Sequence, residues 1–281
     1  MKIGFIGQGW IGKNYADNFE DRGYDIVRYS KEEPYINNKE EIATCDVVYI
    51  AVPTPTVNGV FDDSILRNVI SIVGDGKIAV IKSTIVPGTT EFIQKENPNK
   101  IVLHSPEFLS EATARHDADN PPRNIIGIPL DSKEYQNAAQ KVVSALPKSE
   151  HTLICSSGEA EIIKYAHNVS GFIQVILFNF LYDYAIKNGC DWEILKKAFE
   201  ADPMMASRYA DPVHKSGRGA GGNCFIKDFA AFSKMYAKVL PEDTHIINLL
   251  KSLEEKNKEL LFASNKDIDL LKGVYGEEVD K

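Results

Sequence analysis

Short apolar runs alternate with helical periodicity through the first half of the chain. Runs at 2–6, 25–29, 46–52, 77–81, 101–103, 124–128 and 152–155 have strand length and are rich in Val and Ile. The run at 46–52 is apolar almost throughout, as in a strand covered on both faces. Between the runs, residues 10–22, 62–73, 87–95 and 132–145 place apolar side chains at helical spacing, with Pro87 as a first helical residue. Strands alternating with helices predict an α/β fold with a mostly parallel, doubly wound sheet. Ligands of such sheets bind beyond the carboxyl ends of the strands.

The alternation stops near Cys155. Ser156-x-x-Glu159 is a capping-box pattern. It opens a helical stretch to about residue 187, followed by helices at 192–200, 203–209, 225–239 and 244–262. The charged tail, 263–281, is expected to fray or pack loosely. The expected organisation is a nucleotide-binding domain over residues 1–155 and an all-helical domain with a long central helix over 156–281.

Composition narrows the class of protein. With 281 residues, 43% hydrophobic and 26% charged, the chain resembles an ordinary globular protein of about two domains. The net charge of −8 argues against nucleic acid as the main partner. Cys45, Cys155, Cys190 and Cys224 are scattered, which suggests neither a metal site nor a disulfide framework. The N-terminal run is a poor signal peptide. The apolar segment 171–186 is interrupted by Gln174, Asn179 and Asp183 and reads as too short and too polar for a bilayer. The expected location is the reducing cytoplasm.

Gly7-Gln8-Gly9-Trp10-Ile11-Gly12 stands between the first strand and the first helix. In this G-x-G-x-x-G context, Gly7 permits a tight turn, Gly9 admits a pyrophosphate, and Gly12 lets the helix pack on the sheet. A dinucleotide is the expected cofactor, NAD or NADP. At the tip of the second strand stands Ser30, flanked by Arg28 and Lys31, where a carboxylate often holds ribose hydroxyls. A hydroxyl beside a cation suits the 2′-phosphate of NADP; a polar turn that does not choose between the cofactors fits the same residues.

Three pairs share a spacing of four: Glu107 and Glu111, Lys164 and Asn168, and Cys224 and Asp228. On a helix each pair would point one way. Each also has a bland reading, as a solvated face, a surface lysine, or a first-turn acid favoured by the helix dipole. The stretch GRGAGGNCFIKD (217–228) sets Cys224 about where a glycine loop becomes a helix. Unpaired N–H groups at a helix start favour a thiolate. A structural cysteine after a flexible loop fits the stretch equally well.

Seven motifs together resemble a known family. KIGFIGQGWIG, VVYIAVPTPT, IKSTIVPGTT, HSPEFLSEATA, PPRNIIG, EAEIIKYAHN and GRGAGGNCFIKD occur in the order found in the UDP-glucose/GDP-mannose dehydrogenases, from residue 1 to about 262. Members oxidise the primary alcohol of a sugar nucleotide to a carboxylic acid, in two hydride transfers to two NAD(P)⁺. The resemblance implies that Cys224 attacks the intermediate aldehyde, that Glu107 is the general base of hydrolysis, and that Asp228 positions water or the base. Lys164 and Asn168 would hold the oxygen that carries charge, and Thr84 would place a water near the reacting carbon. It further implies cofactor contacts by Gly7, Gly9, Trp10, Ile11, Gly12, Ser30, Lys31, Val52, Pro53, Thr54, Thr84 and Glu111. Substrate contacts would come from Phe108, Leu109, Lys164, Asn168, Gly217, Gly219 and Gly221. Glu111 would support the site from behind or at a hinge.

The chain departs from the family pattern at Ser105, Ala220, Asn223 and Ile226, all around the expected sugar pocket. Family members also continue into a further domain that grips the nucleotide, whereas this chain ends soon after the helix at 244–262. The implied function is a nucleotide-sugar dehydrogenase, UDP-glucose 6-dehydrogenase-like, of polysaccharide biosynthesis, dimeric through the helical domain. Two other readings fit the same residues. One is a two-electron β-hydroxyacid-type dehydrogenase that shares the two domains but not the cysteine. The other is a non-catalytic nucleotide-binding homologue.

Overall fold

All seven apolar runs pair into one sheet. The computed structural model describes residues 1–280. Strands β1 (Lys2–Ile6), β2 (Asp25–Tyr29), β3 (Val47–Ile50), β4 (Ile78–Ile81), β5 (Ile101–His104), β6 (Arg123–Ile128) and β7 (His151–Ser156) lie in the order β2-β1-β3-β4-β5-β6-β7. Neighbours run parallel except β5 and β6, which meet antiparallel with His104 opposite Gly127. The chain therefore leaves β5 and enters β6 at the same edge of the sheet, which keeps the intervening segment at the carboxyl ends of β1, β3, β4 and β5. Every residue of β3 and β4 is buried, as the unbroken apolar runs require. Phe5 on β1 stacks on Tyr49 of β3, with ring centroids 5.2 Å apart.

The chain separates into two compact units, residues 1–54 with 62–164, and 55–61 with 165 onward. The first holds the sheet and helices α1 (Trp10–Asp21), α2 (Lys39–Ile42), α3 (Ser64–Ile70), α4 (Thr89–Glu96), α5 (Ala114–Asp119) and α6 (Lys133–Ala145). It also holds the start of α7 (Ser157–Lys187). The Ser156 backbone N–H donates to Glu159 Oε2 at 2.8 Å, and the Glu159 N–H to Ser156 Oγ at 3.3 Å, so the capping box forms as the sequence predicts.

The second unit holds the rest of α7, α8 (Trp192–Ala201), α9 (Gly222–Val239), α10 (Thr244–Ala263) and α11 (Ile268–Tyr275), with short hairpins at Thr56–Val57/Val60–Phe61 and Val213–His214/Gly217–Arg218. Phe172 of α7 stacks on Phe229 of α9, with centroids 3.8 Å apart.

Four expectations change. Helix α4 starts at Thr89 and not at Pro87, because the buried Glu161 carboxylate caps it: Oε2 accepts from the Gly88 N–H (2.6 Å) and Oε1 from the Thr90 N–H (2.9 Å). Residues 203–209 form turns in place of a helix. Asp202, before a proline, is held extended, and its side chain accepts the Met204 N–H at 2.9 Å. Residues 268–275 of the tail form a packed helix: Leu271 and Val274 of α11 bury against Ile226, Ala230 and Leu261. Helix α7, at 31 residues, is long and apolar enough to cross a bilayer by length and composition alone. Part of it is core instead, with Phe172, Ile176 and Phe178 fully buried.

Candidate active site

In the first unit, the loop from β1 to α1 is shaped for close approach of a ligand backbone. The Gly7 N–H donates to the Tyr29 carbonyl (2.9 Å), and its φ of +91° is left-handed. A Cβ on Gly7 would strike the Ala51 carbonyl oxygen, and one on Gly12 would strike the Gly7 carbonyl oxygen. A Cβ on Gly9 would meet nothing within 4 Å. Gly9 is thus not needed small by the protein, and its bare backbone faces open space at the start of α1. That start has no side-chain cap and no acidic residue in the first turn. Orphan N–H groups, a positive helix end and a glycine cradle fit the pyrophosphate of a dinucleotide. Trp10 is partly exposed and Ile11 half-buried beside it.

At the tip of β2, Arg28 is already engaged by Asp17 and Glu20, each at 2.6 Å. Ser30 Oγ donates to the Glu32 carbonyl at 2.8 Å, closing a small turn, while Lys31 is exposed. Beyond β4, two consecutive residues tie down the end of β3. Ser83 Oγ donates to the Val52 carbonyl (2.7 Å) and accepts the Val52 N–H (3.0 Å). Thr54 Oγ1 donates to the Thr84 carbonyl at 2.8 Å. Pro53 lies between these clips. The sequence reading did not single out Ser83.

Past β5, Glu107 is buried. Its Oε1 accepts from Lys164 Nζ at 2.9 Å and its Oε2 from the Leu109 N–H at 2.8 Å. Phe108 lies under two cations, with the Arg123 guanidinium carbon 3.9 Å and Lys164 Nζ 5.5 Å from its ring centroid. Glu111 is exposed in a turn, and neither glutamate is helical, so the spacing of four does not align Glu107 with Glu111. Lys164 is buried, so the surface reading of that lysine does not hold.

Lys82 was missed by sequence reasoning. It ends the apolar run of β4, is only 3% exposed, and its Nζ donates to the Ser105 carbonyl (2.9 Å) and Ser105 Oγ (3.1 Å). It also lies 4.3 Å from the Tyr15 ring centroid. Burial pushes its ammonium down to about 7, against the pull of Glu107 and with the push of Lys164. His104 is buried as well, with Nδ1 3.1 Å from the Ile81 carbonyl, and burial holds it neutral by lowering it to about 3. The signal available in the sequence was a lysine continuing a fully apolar strand, which has no solvent to reach.

In the second unit, Cys224 is exposed and is the third residue of α9. It stands in the first turn, where helix N–H groups lack helical partners, as the sequence placed it. Asp228, one turn on, is 1% exposed and accepts from Asn168 Nδ2 at 2.6 Å and Lys227 Nζ at 2.5 Å. Asn168 follows Lys164 by one turn of α7. The structure therefore joins Asn168 to Asp228 and, in the other unit, Lys164 to Glu107. Gly217 and Gly221 have no room for a side chain: a Cβ on either would strike Ser264 or Asp267.

Comparison with known proteins bears on this arrangement. Residues 33–146 match the sequence model described as the UDP-glucose/GDP-mannose dehydrogenase family, NAD binding domain, and residues 158–259 match the same family's central domain. The UDP-glucose 6-dehydrogenase AglM of Haloferax volcanii is 25% identical over 281 residues, covering 82% of this chain and 64% of its own. The chain spans a similar share, 62–63%, of relatives from Bacillus subtilis and Rhizobium meliloti. A UDP-glucose dehydrogenase from Pyrobaculum islandicum has the same fold (TM-score 0.77, 23% identity, 92% of this chain and 68% of that one). So does a Mycobacterium tuberculosis 3-hydroxyisobutyrate dehydrogenase (TM-score 0.72, 15% identity, 99% of each chain).

Proposed function

We infer, for a chain that belongs to the UDP-glucose/GDP-mannose dehydrogenase family, an enzyme that oxidises the primary alcohol of a nucleotide sugar to the uronic acid. The observation that carries this reading is Cys224, an exposed thiol in the first turn of α9, one turn before a buried Asp228–Asn168 pair. Bound NAD(P)⁺ supplies two successive hydride acceptors.

The residues then divide the work. The cradle of Gly7, Gly9 and Gly12, with Trp10 and Ile11, holds the dinucleotide, and Val52, Pro53, Thr54, Thr84 and Glu111 complete its surroundings. For the adenosine ribose we favour NADP. No carboxylate stands at the Ser30 position, and Lys31 is the cation left beside it once Arg28 is paired. Lys164 and Asn168 hold the substrate oxygen as charge develops, and Thr84 orders a water near the reacting carbon. The first oxidation gives an aldehyde. Cys224 adds to it as a thiolate, forming a carbon–sulfur bond and a thiohemiacetal. Loss of the second hydride and the hydroxyl proton leaves a thioester. Water, deprotonated by Glu107 and oriented with help from Asp228, cleaves that bond and releases the carboxylate and the thiol. Phe108, Leu109, Gly217, Gly219 and Gly221 border the sugar.

We further place the protein in the cytoplasm, in polysaccharide biosynthesis, as a homodimer through α7. Ile173, Phe180, Tyr184 and Ile186 give that helix exposed apolar surface. The test is turnover with UDP-glucose and related sugars followed by nicotinamide absorbance, with Cys224→Ala alongside. The full coverage of the 3-hydroxyisobutyrate dehydrogenase fold favours a second reading, a two-electron enzyme of small 3-hydroxy acids. Activity on such an acid that survives Cys224→Ala would favour that reading over the first.

A further inference from the structure

Loop 217–222, which delivers Cys224, contains four glycines. A glycine chain has many conformations, and fixing one is costly in entropy. Gly219 in particular is held at a left-handed φ of +90°. Something outside the loop must fix it, and the same short segment does so at six backbone groups.

Asn257, buried on α10, treats Ala220 as a strand partner would: Oδ1 accepts its N–H at 2.7 Å and Nδ2 donates to its carbonyl at 3.0 Å. Ser264 Oγ accepts the Arg218 N–H at 2.9 Å. Lys266 is 4% exposed, and its Nζ donates to the Gly217 carbonyl (3.2 Å) and the Gly219 carbonyl (2.9 Å). Asp267 Oδ2 accepts the N–H of Gly222, the first residue of α9, at 2.8 Å. A buried ammonium on two carbonyls and a carboxylate on a helix-start N–H are charge-assisted bonds, stronger than neutral ones. The polar contacts of this turn thus end two residues before the thiol.

We propose that residues 257–267 form a clasp that sets the position of Cys224, with Lys266 and Asp267 as positioning residues that touch the loop and not the substrate. The inference rests on the reading of Cys224 as the nucleophile of the second oxidation. It has a consequence that general destabilisation lacks: the first oxidation needs no thiol, so at saturating sugar loosening the clasp spares the rate of that step and impairs the second, while the loop glycines that border the sugar register the change in KM.

The experiment uses Lys266→Met, Lys266→Arg and Asp267→Asn in the full chain, with thermal melting to select folded variants. Hydrogen exchange at the peptide covering 217–222 is read first. Exchange about tenfold faster in Lys266→Met and Asp267→Asn, and near wild type in Lys266→Arg, is expected; unchanged exchange in both overturns the clasp. Reduced cofactor per UDP-glucose is read second, with hydroxylamine present to trap aldehyde. At saturating UDP-glucose, Lys266→Met is expected to fall from two toward one, with trapped aldehyde and an initial first-step rate within about threefold of wild type. Equal loss of both steps, or a ratio that stays at two, overturns the positioning role. If the wild type yields no reduced cofactor, the functional reading fails, and exchange alone decides the clasp. If Lys266→Met does not fold, Asp267→Asn carries both readouts.

Discussion

Lys164 Nζ donates to Glu107 Oε1 at 2.9 Å, and both side chains are almost fully buried. An ion pair in this setting gains little over an apolar pair, but removing one partner strands a charge. Glu107→Ala leaves Lys164 buried without the Glu107 carboxylate and removes the charge that favours protonated Lys82. It is expected to lower stability by about 3–5 kcal/mol at neutral pH, measured by urea unfolding. Glu107→Gln, which keeps an acceptor for the Leu109 N–H, is expected to lose less stability while losing the hydrolytic step.

Lys82 gives the first unit a pH signature. Its folded value of about 7 lies below the ordinary 10.5. The folded state therefore binds fewer protons than the unfolded chain between those values, and stability rises with pH across that window. Below 7 both states are protonated and the cost of the buried charge is fully present. The stability of the wild type relative to Lys82→Met is expected to rise from pH 7 toward pH 10, read as the difference in unfolding midpoints.

The cradle glycines separate folding from binding. Gly12→Ala drives a methyl into the Gly7 carbonyl and is expected to unfold or distort the β1–α1 turn. Gly9→Ala adds its methyl to open space, so its melting temperature is expected to stay within about 2 °C, less than a 1 kcal/mol change. Its cofactor affinity is expected to fall at least tenfold by calorimetry. Equal affinity in Gly9→Ala and wild type would remove the pyrophosphate from this loop.

Asn168 and Asp228 make a graded pair. Asn168→Ala leaves Asp228 buried with Lys227 as its side-chain partner. It is expected to cost about 10²–10³ in kcat, the scale of one lost oxyanion donor, with a smaller change in stability. Rapid-mixing kinetics with UDP-glucose would measure it.

Much of the sheet was legible because its strands are buried on both faces, and 47–50 or 78–81 can only be apolar. The Gly7–Gly12 turn was legible because backbone chemistry restricts it to glycine. Lys164 and Glu107 have a surface reading by themselves, since a pairing across 57 residues of sequence leaves no local pattern, and only the family resemblance singled them out. Lys82 was hidden for another reason: it directly follows the apolar run of β4, whose pattern drew attention only to core. The tail was misread because its charged composition masks Leu271 and Val274, whose burial depends on a partner helix far back in the sequence. The start of α4 was missed because its cap, Glu161, comes from another helix.

The most direct test of the central claim is an end-point count of reduced cofactor per UDP-glucose consumed, for the wild type and for Cys224→Ala. The expected result is two for the wild type. For Cys224→Ala it is at most one, with free aldehyde released. A wild-type count of one, or a count unchanged by the substitution, would contradict covalent four-electron oxidation at Cys224.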